Sequence, residues 1–266
     1  MKLTLAILLL SLLRCKAPVS FAGTVRLSGV AQFNQATAAA SNDPVFNNAK
    51  HVYHLGEASG NARVDTIGAI NLSEVGGAVS SAAGKHGNAA DFNTVGRWLA
   101  ADNGHNFGNE SPPCQWMAMW IYIRTLPALN TVSYIMAGIN LNTYLYVDHS
   151  GNVGFNDASS DDTDVTQALG ALNTWHLIVV GTSIAGGTAA LSVDNATLTT
   201  TSSILGGTPD DSLRLGPVAA GSPPVPPAGL LVPDGLIDEV VIGTDDLTQS
   251  IVTSLWSSGN GVFYSP

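Results

Sequence analysis

The sequence predicts an all-β protein, a two-sheet antiparallel sandwich with one short C-terminal helix. Three observations carry this. From Lys50 onward, short apolar or alternating runs are punctuated by Gly, Asn, Asp and Pro, the pattern of many short strands joined by turns. A convincing helical period occurs once, at residues 247–257, and no βαβ spacing is present, which disfavours a parallel sheet. Strand-forming sequence also stands near both ends, at 52–55 and 234–243, so the two ends of one sandwich are both present.

The N-terminus reads as an export signal over residues 1–22. Met1-Lys2 precedes an apolar run at 3–13 that is too short to span a bilayer, and Ser20 and Ala22 are small residues suited to cleavage before Gly23. The expected location is secreted, with no membrane attachment of the mature form. Residues 23–49, rich in Ala, Ser, Asn and Thr, read as a spacer or an edge strand, and 50–266 as one domain.

Candidate strands in that domain are 51–55, 88–93, 96–101, 115–124, 132–138, 143–148, 152–156, 164–168, 174–181, 188–194, 212–216 and 235–242. The strand at 115–124 is apolar on both alternating sets, Trp116/Ala118/Trp120/Tyr122 and Met117/Met119/Ile121/Ile123, so it must be central and covered on both sides. The strand at 143–148 puts Tyr144 and Tyr146 on one face and Leu145 and Val147 on the other, leaving a tyrosine face for solvent or ligand. Gly151 suits the hairpin turn after Asp148, and the proline-rich stretch 217–233 cannot donate ladder hydrogen bonds and reads as a surface loop. In the helix, Leu247, Ile251 and Leu255 form a narrow stripe, with Asp245 or Asp246 as N-cap and Gly259 as terminator, packing on the sandwich rim.

Composition excludes whole classes of function. Net charge is −10, and the ten Lys and Arg are scattered, which argues against nucleic acid or anionic membrane as partner. If residues 1–22 are removed, Cys114 is left alone, so no intramolecular disulfide forms and the thiol reads as inert. The six histidines show no metal-ligand spacing; His51 and His54 fall on opposite sides of a strand, and no zinc site is expected.

Seven segments in order resemble the laminin-G-like branch of the concanavalin A-like jelly rolls. They are Val52-Tyr-His-Leu-Gly-Glu-Ala-Ser-Gly-Asn61, Val64-Asp-Thr-Ile-Gly68, Ala83-Gly-Lys-His-Gly-Asn-Ala-Ala-Asp-Phe92, residues 116–122, Thr174-Trp-His-Leu-Ile-Val-Val180, Ala190-Leu-Ser-Val-Asp194 and Gly235-Leu-Ile-Asp-Glu-Val-Val-Ile242. The resemblance spans about residues 50–262. It departs where Asn195 replaces a hairpin glycine and Val232-Pro233 an aromatic. It implies a jelly-roll sandwich whose first and last strands pair, and a Ca2+ ion at the rim, for which Asp65 and Asp238 are the candidate ligands.

No catalytic residue is expected. Adjacent carboxylates at Asp238 and Glu239 in one strand point to opposite faces, so they cannot act as an acid/base pair across one sugar bond. The expected function is a binding module for a glycan or a surface protein, with Tyr144, Tyr146 and Trp98 as candidate ligand contacts. The alternatives are a self-assembling virion or cell-surface component and, disfavoured by the carboxylate argument, a glycan hydrolase.

Overall fold

The computed structural model describes residues 43–94, 96–102, 105–129, 132–138, 143–157, 165–183, 188–201, 213–216 and 234–265. Residues 1–22, read as an export signal, nearly all of 23–49 and the proline-rich stretch 217–233 lie outside the described residues.

The sandwich is organised on its doubly apolar strand, Trp116–Ile123. Met117, Met119, Ile121 and Ile123 enter the core between the sheets, while Trp116, Ala118 and Trp120 enter a second apolar cluster on the outer face. In chain order the strands are β1 Ala49–Tyr53, β2 Leu72–Val75, β3 Ser80–Ala83, β4 Asn88–Phe92, β5 Trp98–Ala101, β6 Trp116–Ile123, β7 Val132–Ala137 and β8 Thr143–Asp148. There follow β9 Asn152–Asp157, β10 Val165–Ala168, β11 Trp175–Ser183, β12 Thr188–Val193, β13 Thr199–Thr201, β14 Arg214–Leu215 and β15 Gly235–Gly243. One sheet runs β13-β12-β11-β6-β15-β4-β3 with β1 also on β15, the other β10-β9-β8-β7-β14-β5-β2, and all pairings are antiparallel.

Every strand read from the sequence is present. Three more, β2, β3 and β13, are short polar segments at sheet edges. They lack apolar alternation because an edge strand needs only one neighbour's ladder to exist. The first and last strands pair as expected, β1 running antiparallel to the C-terminal half of β15.

The helix, α1 (Gln249–Trp256), corrects three expectations. Its N-cap is Thr248, whose hydroxyl accepts from Ile251 N–H, because Asp245 instead accepts a 2.7 Å bond from the Trp116 indole N–H. It ends at Ser257 in the left-handed region (φ 43°), ahead of Gly259. And it covers the outer face of the eight-stranded sheet, burying Val252 and Leu255 against Trp116, Ala118 and Trp120, because that face of β6 would otherwise leave two tryptophans in water. Among the described residues no helix is long and apolar enough to cross a membrane.

Candidate functional site

Alternation builds the outer face of the seven-stranded sheet. Leu145 and Val147 of β8 enter the inter-sheet core, so Tyr144 and Tyr146 project outward; Leu99 and Ala101 of β5 do the same, so Trp98 and Ala100 project outward. The three residues named as ligand contacts therefore share a face, with Trp98 three strands, about 14 Å, from the tyrosines. Register adds polar groups that sequence reading missed. Ser73 of β2 and Arg214 of β14 both stand opposite Ala100, and the Ser73 hydroxyl donates to the Asp102 carboxylate. A half-buried indole, a hydroxyl and a guanidinium are thus gathered on three adjacent strands, with the Asp102 carboxylate just past the end of β5.

Tyr144 and Tyr146 are not open to solvent as expected: they are 6% and 9% exposed. The Tyr146 ring lies flat over Gly154 of β9, where a Cβ would fall 2.1 Å from a ring carbon. Gly154→Ala is therefore expected to lift that ring off the sheet and cost about 1–3 kcal/mol, read as a lower denaturation midpoint with increased tyrosine quenching. An unchanged midpoint would show that the ring does not need the flat seat.

The carboxylates of β15 overturn the alternation argument. β15 pairs β4 through Gly235–Ile237 and β1 through Val240–Gly243, and between these partners a bulge sets Glu239 at φ 50°. A bulge rotates successive side chains out of strict alternation, and here both carboxylates reach His86. Asp238 accepts from the His86 backbone N–H at 2.9 Å, while Glu239 meets the His86 ring at 3.3 Å and His54 Nδ1 at 2.9 Å. Burial, with the Glu239 charge beside it, pushes the Asp238 carboxyl up to about 8. Asp238 is fully buried, so it pins the 84–86 turn from inside, and Gly84 is obligatory there because a Cβ would lie 2.4 Å from Asp238 Oδ2.

Asp65 lies elsewhere. Its Oδ1 accepts from Val52 and Gly68 N–H, and its Oδ2 meets His51 Nδ1 at 2.6 Å. Asp65 and Asp238 share no bonding partner among the described residues, so the structure does not bring the expected calcium pair together: Asp65 is engaged by the Val52 and Gly68 amides and Asp238 by those of His86 and Glu239.

The Asp65 contact opens onto a cluster with no signal in the sequence. His51 Nε2 lies 3.1 and 3.2 Å from the two oxygens of Glu110, which also meets His105 Nε2 at 2.6 Å, Lys50 Nζ at 2.7 Å and Cys114 Sγ at 3.8 Å. Burial opposes the charge on Glu110, but donation from Lys50, His105 and His51 overcomes it and holds the carboxyl at about 2. His51 is 3% exposed and wedged edge-on against Phe107. Burial, with the Glu110 charge beside it, pushes the Cys114 thiol up to about 12.

No protein-family model matches this chain, and no curated protein matches it. Solved structures do. The botulinum neurotoxin serotype D binding domain is 16% identical with a TM-score of 0.58, over 79% of this chain and 52% of that one. The binding domain of botulinum neurotoxin DC in complex with SialylT is 13% identical, TM-score 0.58, over 80% and 52%. Trypanosoma rangeli sialidase in complex with 2,3-difluorosialic acid is 14% identical, TM-score 0.58, over 81% and 34%. This chain spans about half the length of the neurotoxin chains and a third of the sialidase chain. At such identities the likeness shows the fold alone, a β-sandwich of two antiparallel sheets.

Proposed function

We propose that this chain is an exported, non-catalytic binding module of the laminin-G-like type whose ligand is a glycan, held on the outer face of the seven-stranded sheet. The observation that carries the reading is the grouping of Trp98, Ser73 and Arg214 on β5, β2 and β14 with Asp102 just past the end of β5. Sugars are bound by an aromatic face for their C–H surface and by a few placed polar groups for their hydroxyls, and this patch supplies both. A guanidinium among them suits a carboxylate-bearing sugar through paired N–H donors. The matched neurotoxin domain bound to SialylT supports a glycan as the ligand class, and the full burial of Asp238, the one carboxyl among the described residues held neutral near pH 7, supports the absence of acid catalysis.

Glycan-array screening of the mature chain, with neutral and sialylated ligands, tests this. Trp98→Ala and Arg214→Ala are each expected to weaken binding at least about tenfold, the effect of losing one anchor residue. No binding to any glycan, together with assembly into particles or filaments, would move the protein to the surface-assembly role. Release of reducing sugar from a bound glycan would sink the non-catalytic reading.

A further inference from the structure

We propose that His51, Glu110 and Cys114, closed by His105, form a site for a zinc-class divalent metal ion that ties β1 to the segment leading into β6. The inference is independent of the glycan reading. The donor atoms of His51, Glu110 and Cys114 all lie within 4.8 Å of one another. In a tetrahedral zinc site with bonds of about 2.0–2.3 Å, neighbouring ligand atoms stand about 3.3–3.8 Å apart. The observed separations are 3.1 and 3.2 Å from His51 Nε2 to the Glu110 oxygens and 3.8 Å from Cys114 Sγ to Glu110 Oε2. These two edges match with shifts of a few tenths of an ångström, and the third, from His51 to Cys114, lies within 4.8 Å. His105 Nε2, at 2.6 Å from Glu110 Oε1 but outside that 4.8 Å group, turns toward the ion to become the fourth ligand.

A second observation points to metal. Asp65 holds His51 Nδ1 at 2.6 Å while being anchored itself by Val52 and Gly68 N–H. A carboxylate fixing one ring nitrogen so that the other faces the ion is the outer-shell arrangement of metal-bound histidines. Thus Asp65 orients a ligand instead of serving as one. The donor set also selects the ion: thiolate and imidazole suit zinc and cobalt, whereas calcium takes oxygen alone. Lys50 Nζ, 2.7 Å from Glu110 Oε2 and about one-third exposed, shows that this carboxylate already takes a cation, and its ammonium retreats to water as the divalent ion enters. The thiol proton of Cys114 leaves to solvent when the sulfur–metal bond forms.

The test is cobalt titration of the full chain carrying Cys15→Ser, so that Cys114 is the only thiol. One equivalent of Co2+ is expected, with a thiolate-to-cobalt charge-transfer band, strong tetrahedral visible bands and displacement by zinc. Cys114→Ser should abolish the charge-transfer band. Glu110→Gln, chosen because it keeps the shape of the side chain, should weaken uptake at least tenfold while the thermal melt shows the variant folded. Asp65→Asn should weaken it about 10- to 100-fold with the thiolate band retained. No uptake, uptake without the thiolate band, or a band that survives Cys114→Ser would each overturn the proposal.

Discussion

Replacing Glu74 with alanine is expected to cost the fold about 3–5 kcal/mol, the penalty for stranding the buried guanidinium of Arg63. Arg63 is fully buried, donating through Nη1 to the Ala58 and Asn61 carbonyls and through Nη2 to the Val79 carbonyl and, at 2.9 Å, to Glu74. Glu74 is its one carboxylate partner among the described residues and also accepts from Gly60 N–H. Removing it leaves a buried charge facing carbonyl oxygens alone. The consequence reaches the candidate glycan face, because Arg63 also bridges to Leu72 and so holds β2, which presents Ser73. Urea denaturation measures the loss, and the double variant Arg63→Met/Glu74→Leu, which removes both charges, should recover most of it. A loss under about 1 kcal/mol for Glu74→Ala would mean that water reaches Arg63.

The second large effect is a stability profile that falls on both sides of about pH 5 in the presence of chelator. On the acid side, Glu110 sits at about 2 against an ordinary 4.5. The unfolded chain binds the proton first, so the stabilisation is complete above 4.5 and is lost as pH falls through 2, about 3 kcal/mol in all. Asp65 and Asp148, also lowered, act in the same sense. On the alkaline side, Asp238 keeps its proton up to about 8 where the unfolded carboxyl releases it near 3.8, so its contribution is present at low pH and declines as pH rises through 8. His51, His54 and His176, all raised above 6.5, contribute fully below 6.5 and lose that contribution as pH rises. Denaturation midpoints from pH 2 to 9 give the profile. Glu110→Gln should flatten the acid limb and Asp238→Asn the alkaline limb; a wild-type midpoint constant from pH 5 to 8 would show that Asp238 is ionised in the fold.

The strand plan was legible because burial writes itself into local sequence. The double apolarity of 115–124 placed β6 at the centre under two layers, and the alternation at 143–148 correctly sent Leu145 and Val147 inward. Local pattern failed where a residue's surroundings come from elsewhere in the chain. Alternation divided Asp238 from Glu239, but a change of pairing partner along β15 made a bulge there and brought both to His86. The helix cap moved to Thr248 because Asp245 is held by an indole 129 residues away.

The class of fold, twelve of its strands and the core-facing side of those strands follow from the chain's local pattern, because they depend on periodicity within a few residues. The roles of the polar residues come from contacts across the fold. His51 and Glu110 are 59 positions apart, Ser73 and Arg214 farther still, and no spacing rule connects groups whose meeting is set by sheet order and loop closure. Those long-range meetings are where the candidate glycan face and the proposed metal site arise.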